Sequence, residues 1–446
     1  IMMRVHLRLT TLLILLTLSL VGAPHINFSS HSIPSAEASP PFAPPADYYQ
    51  IDNGISNFID TTDDPQSDGI AGAGSPGCAL RDALDLVNAL DTVLGAKANG
   101  CTISNPSGTL PATPIYVINL PAYTYSLYNP AGFSNDDLRI TNVPEIYIIG
   151  QDPTTTIIEA GADPYGGAND ADNRVLTLYR STVELGNFTI RNGVCLNICS
   201  LNEFTHGGGI INYQVDLTLD NMRVLNNTAD DRGAGIYSPN GSTLTVLNGS
   251  IIDGNTSLDI SLGDGGGIYI SGAAVAGLNS TLLIDNSTVS NNTAGSDGGG
   301  IFVSQTTIAT IQNGSVIDGN TATSLHGGGI VNTWAVTTID NSTISNNDVN
   351  NFNGEGGGIY NEGPGGIVTI QNNSLITGNL APDGSGIYNY GFGTPQIIIT
   401  DSSVDGNGMG GAARYGGGIY NQSTLTITNS SVDGNATGQF MGAGIY

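Results

Sequence analysis

One short pattern of small, aliphatic and aromatic residues recurs along the second half of the chain. In its fullest form it reads Gly-Gly-Gly-Ile-Tyr, and each copy differs from that form by one or two residues at most. Its isoleucines lie 26 to 33 residues apart, at Ile210, Ile236, Ile268, Ile301, Ile330, Ile359, Ile387, Ile419 and Ile445. A period of this length predicts a stack of about nine similar units rather than one globular core.

Apolar and polar residues alternate in three short stretches of each unit. The first is the Gly-Gly-Gly-Ile-Tyr phrase, the second is typified by residues 424–429, and the third by residues 430–435. The third stretch always carries an aliphatic residue three positions before an Asn. Three strands per unit with a period of two predict a parallel β-helix, in which each strand pairs with its equivalents in the coils above and below.

The same pattern predicts which residues lie inside the coil. The Ile of each phrase should point inward, and the Asn residues should lie at the turns, because Asn tolerates left-handed dihedrals and hydrogen-bonds neighbouring backbone. Four asparagines in successive coils predict a hydrogen-bonded ladder: Asn332, Asn361, Asn389 and Asn421. From the Asn (once Asp401) that ends the second stretch to the Asn that ends the third, the spacing is 6 or 7 residues and alternates between the two values through seven copies. The sequence alone offers no reason for that alternation.

The residues before the repeats differ in composition, and they predict four regions. We expect a signal peptide over residues 1–38, a Pro/Ser/Asp-rich linker over 39–75, a cap with irregular first coils over 76–200, and β-helix repeats over 201–446. The cap contains the one amphipathic helix that the pattern predicts, over residues 78–94. Its apolar positions recur at helical spacing: Leu80, Ala83, Leu84, Val87, Leu90, Val93 and Leu94.

The first residues are typical of an export signal. Arg4 and Arg8 precede an apolar run over residues 9–21, which is too short for a membrane span. Cleavage after Ala23 or after Ala38 fits the small residues there, and an uncleaved anchor is the alternative. The chain begins with Ile1 and ends within a repeat, so we expect it to be a fragment of a longer protein.

Composition narrows the classes of partner. The formal net charge is −27, with only 11 Lys and Arg residues against 38 Asp and Glu. This balance excludes an electrostatic nucleic-acid binder and argues against docking on an anionic membrane surface. No second long apolar run follows the first, so no integral membrane segment is expected once the signal is removed.

The four cysteines indicate whether the chain resides in an oxidising compartment. Cys78 and Cys101 bracket one segment, and Cys195 and Cys199 lie four residues apart. An even number in an exported chain predicts two disulfides, while free buried thiols and a metal site remain as alternatives.

Two motifs resemble known families. The paired Gly-Gly-x-Ile and aliphatic-x-x-Asn motifs resemble the repeats of chlamydial polymorphic outer membrane proteins. The segment Cys-Ala-Leu-Arg-Asp-Ala-Leu at 78–84 looks like the Cys-Ser-Leu-Arg-Glu-Ala motif that opens the N-terminal domain of many secreted bacterial β-helix proteins, and residues 119–125 fit its continuation. Together the resemblances cover residues 76–446. They imply that the β-helix is right-handed and that the protein is an adhesin, a passenger domain or, less often, a polysaccharide-degrading enzyme.

Ionisable residues directly before the Gly triplets are the first candidate site. Five successive coils place them in one column: Asp264, Asp297, His326, Glu355 and Asp383. As a hypothesis, Asp297, His326 and Glu355 do acid–base work, or the four acids bind a cation such as Ca²⁺. The alternative is that these are solvated acids of polar turns. No other cofactor is expected.

Aromatic residues directly after the Ile are the second candidate site. Alternation predicts that they point outward, as a stripe that could stack on sugar rings or on a protein partner. Its members are Tyr237, Tyr269, Phe302, Tyr360, Tyr388 and Tyr420. The alternative is that the rings stack to stabilise the coil itself. The single tryptophan, Trp334, marks no site in the sequence.

These observations predict an all-β, single-stranded, right-handed parallel β-helix with a short N-terminal helix-bearing cap. The function expected first is a secreted or cell-surface structural or adhesion protein of a bacterium, without evident catalysis. It would contact a glycan or a protein of a host or neighbouring cell. The alternative is a carbohydrate-active enzyme of the pectate-lyase kind, because fold alone does not separate the two.

Overall fold

The structure is a computed structural model that describes residues 43–51, 78–96, 101–127, 137–160, 172–196, 205–273, 279–409, 413–438 and 441–446. The expected signal peptide and most of the expected linker lie outside the described residues, as does Cys199. Within the described ranges the chain forms one helix, α1 (Leu80–Asn88), and four sheets whose strands are almost all parallel. No described helix has the length and apolar content needed to cross a membrane.

Most coils contribute one strand to each sheet in turn, and sheets 1 to 4 are numbered in the order in which a coil visits them. Sheet 1 holds the Ile-Tyr phrases: Leu138–Thr141, Leu176–Tyr179, Ile210–Tyr213, Ile236–Pro239, Ile268–Ser271, Ile301–Ser304, Ile330–Thr333, Ile359–Glu362, Ile387–Asn389 and Ile419–Asn421. Sheet 2 is the longest: Gly95–Ala96, Thr102–Ser104, Tyr49–Ile51, Ile115–Leu120, Glu145–Gly150, Thr182–Gly186, Asp216–Asp220, Thr243–Leu247, Thr281–Asp285, Ile308–Gln312, Val336–Asp340, Ile367–Gln371, Gln396–Thr400 and Thr424–Thr428.

Sheets 3 and 4 complete the coil. Sheet 3 comprises Thr124–Leu127, Ile157–Ala160, Thr189–Arg191, Arg223–Leu225, Ile251–Asp253, Thr288–Ser290, Val316–Asp318, Thr343–Ser345, Leu375–Thr377 and Ser403–Asp405. Sheet 4 comprises Asp172–Asn173, Val194–Cys195, Thr228–Ala229, Thr256–Ser257, Thr293–Ala294, Thr321–Ala322 and Asp348–Val349. The pattern predicted three strands per coil. The fourth is only two residues long, too short to produce a visible alternation.

The isoleucines of the phrases form the central column of the core, as predicted. Ile301 pairs with Ile330 and Ile330 pairs with Ile359, in parallel register. From Ile210 to Ile419 every one of these side chains is fully buried. One coil alone could not bury such a face, so each coil is stabilised by its neighbours.

Two ladders of buried asparagine run parallel to this column. The predicted ladder is confirmed, because Asn332 Nδ2 donates to Asn361 Oδ1 at 2.8 Å and Asn361 Nδ2 donates to Asn389 Oδ1 at 2.9 Å. The second ladder consists of the asparagines of the aliphatic-x-x-Asn motif, which were expected at turns because of their tolerance for left-handed dihedrals. That reason is wrong for them. They are fully buried, and they bond the next coil through both backbone and side chain: Asn227, Asn255, Asn292, Asn320, Asn347, Asn379 and Asn407.

At the corner after sheet 3, an acidic side chain alternates from coil to coil with serine and asparagine. Asp318 Oδ1 accepts hydrogen bonds from Ser345 Oγ at 2.6 Å and Asn346 Nδ2 at 2.8 Å in the next coil. Gly319, next to Asp318, has room only for hydrogen, because a Cβ there would lie 2.9 Å from Asn291 Oδ1 of the preceding coil. From Asp253 to Asn346, coils with Asp-Gly at this corner thus alternate with coils that carry Ser-Asn.

The corner between sheets 2 and 3 alternates in the opposite sense. There Asp340 accepts from Gln371 Nε2 and Asn372 Nδ2, both at 2.9 Å. The spacing of 7 belongs to coils with two consecutive left-handed residues at this corner, such as Asn313 and Gly314, and the spacing of 6 to coils with one. Carboxylates stacked in every coil would repel one another across about 4.8 Å. The alternation instead places donors between them, so over much of the stack the repeating unit is a pair of coils.

The cap is held by helix α1 and a disulfide. Cys78 and Cys101 are bonded as predicted, and both are fully buried. Cys195 is also disulfide-bonded. The helix ends at Asn88, six residues earlier than predicted, because Leu90 adopts a left-handed φ of 53°. The last three expected apolar positions are therefore exposed: Leu90, Val93 and Leu94.

Candidate functional site

The residue before each Gly triplet is turned back onto the coil that follows. The first glycine of every triplet has a positive φ, for example 64° at Gly327, where a Cβ would lie 2.7 Å from the carbonyl oxygen of Ile330. This turn places the preceding residue at the edge of the coil, where isolated parallel bridges join His326 to Glu355 and Glu355 to Asp383. The candidate residues do form a column, which we call the edge column: His206, Arg232, Asp264, Asp297, His326, Glu355, Asp383 and Tyr415.

His326 lies between two carboxylates. Its Nδ1 is 3.1 Å from Asp297 Oδ1 and its Nε2 is 3.4 Å from Glu355 Oε2. Burial lowers the pKa of His326, but the hydrogen bond and charge of Asp297 and the charge of Glu355 outweigh it, so the pKa lies above the ordinary 6.5. An imidazolium with both N–H groups bound to acids can hold a proton. It leaves neither nitrogen free to take one from a substrate.

Glu355 holds its own proton more tightly than an exposed glutamate does. Burial raises its pKa, and the charge of His326 and a hydrogen bond with Tyr388 offset only part of that rise. The two outer acids of the predicted site are engaged elsewhere. Asp264 pairs with Arg232 at 3.2 Å, and Asp383 pairs with Arg414 at 2.8 Å. Among the described residues, no group of three or more His, Cys, Asp or Glu side chains has the geometry to hold a metal ion.

His206 occupies the same position four coils before His326. Its Nδ1 lies 3.6 Å from Asp231 Oδ2, and two arginines are also nearby. Its ring lies 4.3 Å from the ring of Tyr237, and its Nδ1 lies 3.3 Å from the backbone nitrogen of Arg232. Burial, followed by the charges of Arg232 and Arg174, lowers the pKa of His206 to about 3. His206 therefore lies near two arginines and one acid, whereas His326 lies between two acids.

The aromatic residues after the Ile form a stack, but the expectation of an exposed stripe is wrong for four of the six. Tyr237 and Tyr269 are 8% and 7% exposed, and Tyr360 and Tyr388 are each 3% exposed. Phe302 and Tyr420 are half-buried. Successive rings lie 4.6 to 5.6 Å apart, with one gap where Val331 replaces an aromatic residue.

The edge column is what buries these rings. Each of its larger members packs on the ring of the next coil: His206 on Tyr237, the Arg232 guanidinium 5.1 Å from the centre of the Tyr269 ring, and His326 4.2 Å from Tyr360. Burial raises the pKa of Tyr360 far above its ordinary value. Alternation alone could not predict this, because it does not show that the triplet folds the preceding residue back.

Comparison with known proteins fits this architecture. Residues 267–446 match a family model described as "Right handed beta helix region". The chain is a right-handed parallel β-helix. The same sheets and register continue from residue 267 back to Leu138, so the fold extends beyond the matched residues. No curated protein matches the sequence.

One solved structure is similar in shape. It is ORF18 of Geobacillus virus E2, at 12% identity and a TM-score of 0.31, covering 79% of this chain and 55% of that one. This chain thus spans about half the length of that protein. A similarity at this score carries no argument about function.

A group of exposed or partly exposed aromatic and proline side chains, which the sequence did not reveal, lies at the corner between sheets 1 and 2. In successive coils the corner is occupied by Trp334, by Gly363 and Pro364, and by the loop containing Tyr390 and Phe392. Backbone hydrogen bonds align the three coils, from Trp334 N to Glu362 O and from Gly363 N to Phe392 O, both at 3.1 Å. The only sequence signal was the variable length of this corner.

Proposed function

We propose that the chain is a secreted or cell-surface β-helix protein with a structural or adhesive role. The observation that carries the structural part is the use made of the recurring side chains. His326 is held between Asp297 and Glu355, Asp383 is paired with Arg414, and the tyrosines are stacked under the edge column. These groups join coil to coil rather than converge on a point where a substrate atom would react.

Export is supported by two features. The basic and apolar N-terminus is typical of a signal, and the buried disulfide between Cys78 and Cys101 is of the kind that persists in oxidising compartments. An elongated, acidic solenoid with loops of variable length on its corners is suited to present those loops to a partner.

The export proposal is tested with the full chain, produced with its own N-terminus in a bacterial host. We expect the chain in the extracytoplasmic fraction, with its N-terminus processed and no thiol that reacts with an alkylating probe before reduction. A chain that stays in the cytoplasm with reactive thiols would contradict export. Adhesion is tested separately, by binding of the purified full chain to immobilised cells and glycans.

An enzyme of the pectate-lyase kind remains the second candidate, on one observation. The raised pKa of Glu355 keeps its proton to a higher pH than an exposed glutamate would, which is the direction a general acid requires. The test is the activity of the full chain on acidic polysaccharides with and without Ca²⁺. Activity that is lost in Glu355→Gln but kept in Glu362→Gln would favour the enzyme, and no activity under any condition would exclude it.

A further inference from the structure

Trp334 has a backbone conformation that bulky residues rarely adopt. Its φ is 57°, in the left-handed region. Other coils place Gln214 at 54°, Asn240 at 61° and Gln305 at 44° at this corner. Asn and Gly enter this region readily, whereas a large aromatic residue does so at a cost in free energy. Such backbone strain persists where the surrounding structure holds the residue in place, and it often occurs at functional sites.

The next coil is shaped to receive the indole. A Cβ at Gly363 would lie 1.6 Å from Cδ1 and 1.9 Å from Nε1 of Trp334, so the ring rests directly on the Gly363 backbone. Gly363 itself has a φ of 86°. Any side chain there would displace the indole, which remains partly exposed to solvent.

The same arrangement is repeated one coil further on. A Cβ at Gly393 would lie 2.4 Å from Cδ of Pro364, so the exposed proline ring rests on that glycine. Phe392 and Tyr390, in the same loop, are 47% and 36% exposed. Three successive coils therefore present flat apolar rings at one corner, and Trp334 and Phe392 are separated by about two coil spacings, roughly 10 Å.

Polar groups and charge around these rings restrict the partner. Glu362 lies beside Trp334, with its Oε2 accepting from Tyr360 Oη at 3.1 Å, and Gln422 Oε1 accepts from the backbone of Gly391 at 3.3 Å. The repeat region contains no Lys, and its only Arg residues are 223, 232 and 414. Arg414 is committed to Asp383 on the edge column. An acidic polymer would meet Glu362 without a compensating cation, whereas a neutral one would not be repelled.

We propose that Trp334, Pro364, Tyr390 and Phe392 form a platform that binds a neutral oligosaccharide, laid across successive coils so that its sugar rings stack on the aromatic rings. The proposal rests on the adhesive role above and gives it a site and a partner class. Rigid aromatic rings supply contact area at little conformational entropy, and the carboxylate and amide beside them bind hydroxyl groups. The buried tyrosine stack cannot serve in this way, because its ring faces are covered by neighbouring rings and by the edge column.

Trp334 is the only tryptophan in the chain, so its fluorescence reports on the platform directly. The experiment titrates the full chain with neutral oligosaccharides of glucose, mannose, galactose, xylose and N-acetylglucosamine, and with oligogalacturonate as an acidic comparison. We expect a saturable change in emission, and reduced quenching by acrylamide, with at least one neutral oligosaccharide but not with oligogalacturonate.

Three variants test the platform, and one of them is a control at an exposed ring elsewhere. Phe392→Ala should weaken the fluorescence-detected affinity at least about tenfold, as loss of a central aromatic contact does. Phe352→Ala removes a ring that is 78% exposed on a different edge, beside Arg414, and should leave the affinity unchanged. Trp334→Gln, which installs a residue type already present at this corner in other coils, should abolish binding measured by calorimetry while the chain stays folded.

A folded chain that shows no saturable response to any neutral oligosaccharide, or Phe392→Ala and Phe352→Ala weakening the affinity equally, would overturn the proposal. The outcome is separable from that of the proposed function. If Trp334→Gln and Phe392→Ala adhere to cells as well as the parent chain does, the platform is not the adhesive site, although the adhesive role is retained. If the chain binds oligosaccharide but is never exported, the platform is retained and the proposed cell-surface role is contradicted.

Discussion

Nδ1 of His326 lies 3.1 Å from Oδ1 of Asp297, whereas Nδ1 of His206, at the equivalent position of an earlier coil, lies 3.3 Å from the backbone nitrogen of Arg232. Both imidazoles pack on a tyrosine ring of the next coil, at 4.2 and 4.3 Å. Two residues of one type in one repeat position thus have different electrostatic surroundings: Arg232 and Arg174 lie near His206, and Asp297 and Glu355 lie on either side of His326.

The two histidines should titrate on opposite sides of the ordinary value. Burial and two arginines lower the pKa of His206 to about 3, while Asp297 and Glu355 hold the pKa of His326 above 6.5. The measurement is a pH titration of the imidazole NMR signals, assigned with His206→Gln and His326→Gln. Equal titration of both residues near 6.5 would contradict the structure.

The same shifts fix the sign of the pH dependence of stability. Below pH 6.5 the unfolded chain binds a proton at His206 that the folded chain refuses, so acidification toward pH 3 costs up to about 1.4 kcal/mol per pH unit. His326 acts in the opposite direction, and its contribution is complete below pH 6.5 and is lost as the pH rises through its raised pKa. The free energy of unfolding of His206→Gln should therefore fall less on acidification than that of the parent chain. An identical pH profile would be evidence against the burial of His206.

Asn320 should be among the residues that the fold tolerates least. Its Oδ1 accepts from the backbone N and Nδ2 of Asn292, and its Nδ2 donates to Val289 O and Asn347 Oδ1. Asn320→Ala leaves several of these buried groups unpaired and should cost at least about 3 kcal/mol, measured by denaturant unfolding. Asn350→Ala, at an exposed Asn, is the matched control and should stay within about 0.5 kcal/mol of the parent. Equal effects would show that the ladder contributes little.

Replacing a single amide by a carboxylate should disrupt the alternation of acid and amide between coils. Gln371 Nε2 donates to Asp340 Oδ2 at 2.9 Å, so Gln371→Glu places a second carboxylate against Asp340. We expect a loss of about 1 kcal/mol at neutral pH, which added salt reduces. Gln396→Glu makes the same change on a strand where the neighbours are Ile367 and Thr424, and should have little effect. A loss in both variants, or one that salt leaves unchanged, would argue against charge repulsion.

Reduction of the disulfide should loosen the cap. Cys78 and Cys101 are 23 residues apart in sequence and fully buried. The loop-closure model assigns about 3 kcal/mol to a bond of this separation. Cys78→Ala with Cys101→Ala should therefore expose helix α1 to proteolysis while the coils beyond Ile210 stay resistant. Unchanged resistance of the helix would show that its packing alone is sufficient.

The sequence was sufficient for the architecture because the period and the alternation are properties of every coil. The central isoleucine column and the Asn332 ladder follow from position alone, since like residues stack in a parallel solenoid. The burial of Tyr360 did not follow, because it depends on a positive φ at Gly327 that folds His326 over the next coil. A glycine in the sequence shows that such a turn is permitted, but not which way it directs the residue before it.

The candidate sites were harder to predict than the fold because they depend on exceptions to the repeat. Trp334 resembles no neighbour in sequence, and its support comes from Gly363 in another coil. The alternating spacing was visible in the sequence, but the structure shows its cause, which is that some coils have two consecutive left-handed residues, such as Asn313 and Gly314, and others have one. Recurring residues form the scaffold, and the binding role that we propose lies at a departure from the repeat.

That division of roles is tested most directly by measuring the neutral-oligosaccharide affinity of two variants side by side, each with its unfolding midpoint. Tyr269→Ala removes a ring stacked at 5.3 Å on both Tyr237 and Phe302, and Phe392→Ala removes an exposed ring of the corner platform. We predict that Tyr269→Ala lowers the midpoint and leaves the affinity unchanged, while Phe392→Ala lowers the affinity at least about tenfold and leaves the midpoint unchanged. An affinity that depends on Tyr269 and not on Phe392 would contradict the account.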